Sequence, residues 1–119
     1  MATSLSHRGV RNAYVTITDD DTEILVDAVS GYRIVVLSVA VNFAATPDTL
    51  TFSSDPDPGG TPDPTAVYGP FLGDGSATLC LPESQRGYFA TVAGEALVAT
   101  TGGSASGSTV VAVTYELAR

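Results

Sequence analysis

No eleven-residue window of this chain sustains the i, i+3, i+4 spacing of apolar residues that an amphipathic helix needs, whereas short alternating segments recur between turn residues along its length. A chain patterned in this way folds as sheets. Ala13, Val15 and Ile17 alternate with Tyr14, Thr16 and Thr18, and Asp19-Asp20-Asp21 then turns the chain into a second strand containing Ile24, Val26 and Ala28. Ser30-Gly31 closes that strand. A third runs over residues 32–43, and its odd positions Val35, Leu37, Val39, Val41 and Phe43 form an unbroken apolar face, expected to be the central core wall. Its other face begins with Ile34 and Val36 and fades through Ser38 and Ala40 to Asn42. Residues 49–52 are a fourth strand. The segment 55–64 that follows holds prolines at 56, 58, 62 and 64, which remove ladder donors, and it reads as an exposed, projecting loop. Further strands are expected at 67–72, 77–81, 96–100 and 109–117. Between them lie the turn Gly73-Asp74-Gly75, a connector from Pro82 through Gly87-Tyr88-Phe89, and a Gly/Ser-rich turn at 102–108. The expected fold is all-β: a single antiparallel β-sandwich, jelly-roll-like, of about eight strands.

A chain of 119 residues has room for one core, so the expected organisation is an N-terminal arm, residues 1–11, followed by a sandwich domain, residues 12–119. Thirteen Asp and Glu residues against five arginines leave a formal charge of −8, which repels a phosphate backbone and argues against nucleic acid as a partner. No apolar run reaches membrane-spanning length, and the first residues lack the apolar core of a secretion signal. The expected route is synthesis in a host cytoplasm and, if the protein leaves the cell, departure on an assembled particle. One cysteine, Cys80, cannot close an intrachain bridge.

None of the candidate chemistry rises above a structural explanation. Asp19, Asp20, Asp21 and Glu23 carry oxygen ligands suited to calcium, but their spacing matches no calcium loop and aspartate favours turns. Asp55, Asp57 and Asp63 sit in a proline-stiffened segment that suits a projecting contact better than an ion cage. His7 is the sole histidine and lies in the arm, away from any patterned strand, so a nucleophilic triad has no base to build on. Cys80 alternates with Leu79 and Leu81 and reads as a half-buried structural thiol. The tyrosines at 14, 32, 68, 88 and 115 are scattered over five segments and read as caps of core edges and interfaces. No catalytic residue, metal site or cofactor is expected, and the chain is not expected to be an enzyme.

Several short motifs fall in a familiar order: Arg33-Ile34-Val35-Val36-Leu37-Ser38, Gly69-Pro70, Leu79-Cys80-Leu81-Pro82, Gly87-Tyr88-Phe89, Ala93-Gly94-Glu95-Ala96-Leu97 and Val113-Thr114-Tyr115. Over about residues 31 to 117 the chain resembles small β-sandwich proteins encoded among the structural genes of tailed bacteriophages. The resemblance implies a head-decoration, cement or fibre-base module, often trimeric, that binds the major capsid protein on the outside of the virion. The alternative is a carbohydrate-binding β-sandwich module, which exposed aromatics clustered at one loop end would favour.

Two features suggest where a partner would bind. His7, Arg8 and Arg11 precede a strongly acidic body, so the arm is expected to dock by its cations, with Leu5 and Val10 as small apolar anchors. Ile34 and Val36, on the half-apolar second face of the third strand, are expected to be covered by another subunit.

Overall fold

The computed structural model describes residues 9–44, 48–60, 64–73, 77–103 and 107–119. Among these are nine strands: β1 (Arg11–Thr18), β2 (Thr22–Val26), β3 (Arg33–Asn42), β4 (Asp48–Asp55), β5 (Thr65–Gly73), β6 (Thr78–Leu81), β7 (Phe89–Ala90), β8 (Ala96–Gly103) and β9 (Ser108–Ala118). The ninth, beyond the eight expected, is the two-residue β7 inside the connector that follows Pro82. One sheet has the order β1-β9-β3-β6, with β7 also paired to β3, and the other has the order β2-β8-β4-β5. Every ladder is antiparallel.

The pairings nest. β1 meets β9, β2 meets β8, β3 meets β6 and β4 meets β5, while β9·β3 and β8·β4 join these pairs into the two sheets. A long hairpin rolled into two packed sheets has this connectivity, so the sandwich is a jelly roll. The turns β1–β2, β3–β4, β5–β6 and β8–β9 gather at one end. The other end holds β2–β3, β4–β5, the connector after β6 and both termini of the described chain.

The core lies between the sheets and includes Ile17, Ile34, Val36, Val39, Val41, Leu50, Phe52, Leu97 and Val111, each 1% exposed or less. Ile34 and Val36 are therefore inside the protein's own fold, and the expectation that another subunit covers them is overturned. The cause is a β-bulge. Val36 pairs with Tyr115 and Ser38 with Thr114, which leaves Leu37 as an extra residue on β3. Before the bulge the even positions face inward. After it the odd positions Val39, Val41 and Phe43 do. Leu37 is fully buried outside the core cluster, and a Cβ on Gly87 would lie 3.7 Å from its Cδ2. A second bulge, between Ile24 and Val26 on β2, buries Leu25 and Val26 and leaves Ile24 45% exposed, against the expected alternation.

Two aromatic contacts bridge the sheets at one edge, and a third lies within β5. Phe89 stands 5.0 Å from Phe52 and 4.7 Å from Tyr68, centroid to centroid, and Tyr68 meets Phe71 edge-on at 5.1 Å. Buried hydroxyls cap the ladder ends. Thr91 Oγ1 accepts the Ile34 N–H at 2.9 Å, Thr109 Oγ1 accepts that of Ala44 at 3.2 Å, and Ser54 Oγ donates to Glu95 Oε1 at 2.7 Å. Among the described residues no buried side-chain nitrogen or oxygen lacks a partner, as a dry interior requires.

Candidate functional site

The outward face of the first sheet follows from the alternation that builds the core. Asn12, Tyr14, Thr16 and Thr18 on β1, Val110, Ala112 and Thr114 on β9, Ser38, Ala40 and Asn42 on β3, and Thr78 and Cys80 on β6 all point away from it. None of these side chains is charged at neutral pH, although the chain carries −8 overall. The register aligns Tyr14 with Ala112, Ala112 with Ala40, and Ala40 with Cys80, so one row across the sheet reads tyrosine, alanine, alanine, cysteine. In the next row Ser38 Oγ and Thr114 Oγ1 bond to each other at 2.6 Å. The result is a shallow trough of about 470 Å³, floored by Ser38, Ala40, Ala112 and Thr114 and bounded by Tyr14 on one side and Pro82 and Glu83 on the other. Tyr14 is 77% exposed.

Towards the end that holds the termini, this uncharged face gives way to charge. Arg33 lies opposite Ala118, Glu116 lies opposite Val35, and both line a second hollow with Arg86 and the segment Gly87-Tyr88-Phe89. Arg11 pairs with Tyr115, and the Arg119 guanidinium lies 4.7 Å over the Tyr32 ring while two of its nitrogens donate to the Tyr32 hydroxyl at 3.1 and 2.8 Å. All four described arginines thus fall at the end where β1 begins. The opposite end carries Asp19, Asp20, Asp21 and Glu23, and no described cation.

Of the sequence-derived partner residues, Leu5, His7 and Arg8 lie outside the described residues. Val10 is 40% exposed, just before β1. Arg11 is exposed but is the first residue of β1, so the ordered sheet begins one residue inside the expected arm. Ile34 and Val36 belong to the core, as described above.

The acidic turn is an internally bonded structure. Asp19, at φ 57°, accepts the Gly107 N–H through Oδ1 at 3.0 Å, and Asp21 Oδ1 accepts the Thr22 N–H at 2.8 Å. Asp55 is 4% exposed, closes β4 and accepts the Asp57 N–H at 2.9 Å, while Asp63 lies outside the described residues. The described part of the proline segment does not simply project. Pro58 is half-buried and lines a hollow with Thr22, Glu23, Ile24 and Val98 on the outer face of the second sheet. Among the described residues, no three His, Cys, Asp or Glu side chains group in a way that would hold a metal ion.

Cys80 is exposed, not half-buried as its alternation with two leucines suggested, because β6 is a sheet edge whose outer side meets only the trough. Tyr68 and Tyr115 pack against the core edge, and the Tyr88 hydroxyl donates to Pro82 O at 2.6 Å. Tyr14 is the one aromatic among the described residues in the exposed class, so exposed rings do not cluster at a loop end as a sugar platform would need. Alternation sets Tyr14, Ala40 and Cys80 on the faces opposite their apolar neighbours, but it has no means of placing them in one row, since they lie on different strands. Set against known protein families and characterised proteins, the chain matches no family model and no characterised sequence.

Proposed function

We propose that this chain is a structural, non-enzymatic protein of a virus particle: a jelly-roll module that decorates or cements the outside of a tailed-bacteriophage head by binding its major capsid protein. The observation that carries this reading is where the cations lie. Arg11, Arg33, Arg86 and Arg119 all occupy the end at which β1 and β3 begin, among carboxylates that include Asp27, Glu95 and Glu116, and the far end has no described cation. Carboxylates of a partner therefore find described arginines at that end alone, which leaves the far end in solvent. The order of strand and turn motifs that resembles phage structural proteins supports the choice of partner. The trough lacks the clustered rings and convergent polar groups of a glycan site, which places carbohydrate binding second.

The test is direct. Mass spectrometry of purified particles should detect the chain, and recombinant protein should co-sediment with heads stripped of it. Reversing Arg11→Glu together with Arg86→Glu should weaken that binding at least tenfold, while Asp20→Arg at the opposite end should not. Absence of the chain from particles, or equal loss from either end, overturns the proposal.

A further inference from the structure

We propose that the open edge of β1 is a self-pairing edge, where two copies of this chain join β1 to β1 antiparallel about a two-fold axis at Val15 and continue the first sheet from one molecule into the other. The inference does not rest on the particle-decoration reading, because it concerns association of the free chain in solution. Each sheet has two edges, and three of these four carry features that spoil pairing. β2 has five residues and a bulge, and β5 holds Pro70 and meets β4 through two register shifts. β6 and β7 share an edge in pieces of four and two residues, with Pro82 between them. β1 is different. Its eight residues pair with β9 in one unbroken register, it contains no proline, glycine or lysine, and its run Tyr14-Val15-Thr16-Ile17-Thr18 favours extended backbone.

Hydrogen bonding sets which backbone groups face that edge. The Asp19 N–H donates to Gly107 O at 2.7 Å, and groups two residues apart in a strand point the same way, so Arg11, Ala13, Val15 and Ile17 bond to β9. The far side of β9 gives the same phase, because Phe43 donates to Ala77 O at 2.9 Å, which leaves Ser38, Ala40 and Asn42 to bond Thr114, Ala112 and Val110. Asn12, Tyr14, Thr16 and Thr18 therefore turn their N–H and C=O groups to the open side, where no described strand meets them. A two-fold axis perpendicular to the sheet keeps both cores on one side only when facing residues belong to the same face of the strand. With the axis at Val15, Tyr14 faces Thr16 and Asn12 faces Thr18 of the other copy, which satisfies the free groups of all four in about eight hydrogen bonds. On the inner face Val15 meets Val15 and Ala13 meets Ile17, and the half-buried Ala13 and Val15 are covered. At both ends Arg11 of one copy meets Asp19 of the other, so a chain of net charge −8 joins itself with unlike charges opposed. An axis at Tyr14 instead sets Arg11 against Ile17, and one at Thr16 carries Asn12 past the end of the strand.

Sedimentation equilibrium of the full chain between about 1 μM and about 1 mM should show a reversible transition from one to two chain masses, since a single strand edge buries little area and the pair dissociates on dilution. Thr16→Pro removes an N–H that bonds nothing within the described chain, and proline suits an edge strand whose missing donor faces solvent. It should keep cooperative unfolding and weaken association at least about tenfold. Thr16 is not among the docking arginines, so this variant tests pairing separately from docking. Ala40→Arg, on the outer face of the same sheet, should leave association as it is. The register is read without removing a backbone group. Val15 and its counterpart form a non-hydrogen-bonded pair about 4.5 Å apart at Cα, within disulfide range, so Val15→Cys in a Cys80→Ser background should link two chains under mild oxidation. A monomer at about 1 mM, a mass of three chains, a folded Thr16→Pro variant that associates like the native chain, an Ala40→Arg variant that does not associate, or no cross-link through Val15→Cys would each overturn the proposal.

Discussion

At the scale of single residues, the turn between β1 and β2 shows how a local signal depends on a remote partner. Three consecutive aspartates announce the turn, but Thr101, eighty positions further on, holds it. Its hydroxyl donates to Asp19 O at 2.7 Å and accepts the Asp21 N–H at 3.0 Å, its own N–H donates to Asp21 O at 2.9 Å, and the side chain is 3% exposed. Thr101→Val keeps the shape, removes both hydroxyl bonds and leaves the Asp21 N–H without its partner. We expect a loss of about 1–3 kcal/mol, which calorimetry should register as a fall in Tm of roughly 4–12 °C for a domain of this size. An unchanged Tm would mean that the backbone bond to Asp21 holds the turn unaided. Glycine at 73 has a similar remote cause, since a Cβ there would run into the Phe43 ring, a contact no local pattern announces.

At the scale of elements, the bulges decide which side of a strand is inside. β3 alternates without a break in its sequence, and strict alternation assigns Ile34 and Val36 to one face and Val39 and Val41 to the other. All four are buried in the same core, because Leu37 is inserted between the Val36·Tyr115 and Ser38·Thr114 pairs. The insertion is held from outside the ladder. Leu37 O accepts the Ser84 N–H at 2.8 Å and Val36 O accepts that of Tyr88 at 2.8 Å, so the connector after β6 clamps the bulge at its edge. Deleting Leu37 would set Val36 next to Ser38 as Tyr115 is next to Thr114, which restores a regular ladder and keeps Ile34, Val36, Val39 and Val41 on the inner face. We expect that variant to keep cooperative unfolding and amide-proton dispersion in NMR spectra but to lose about 2–5 kcal/mol with the buried leucine side chain. A deletion variant without cooperative unfolding would show that the bulge itself is required for the fold.

At the scale of the whole molecule, the nested ladders join residues far apart in sequence: β1 cannot pair until β9 exists, and β2 waits for β8. Loop closure must precede most stabilising contacts, so refolding should occupy milliseconds to seconds, followed by stopped-flow tyrosine fluorescence in a chain with no tryptophan. Microsecond refolding would contradict this topology. The same long-range pairing divides what the sequence alone determined from what the tertiary structure decided. Fold class, most strand spans and the turns were legible, because alternation and turn chemistry are imposed within a few residues by the pleat and by allowed backbone angles. The alternation of Tyr14, Ala40 and Cys80 with apolar neighbours was legible for the same reason, whereas the exposure of Cys80 was not. Their alignment in one row, the collection of Arg11, Arg33, Arg86 and Arg119 at one end, and the burial of Ile34 and Val36 were not. Each depends on which strand lies beside which and on a bulge stabilised from across the sheet, and these are relations between segments that no local period encodes.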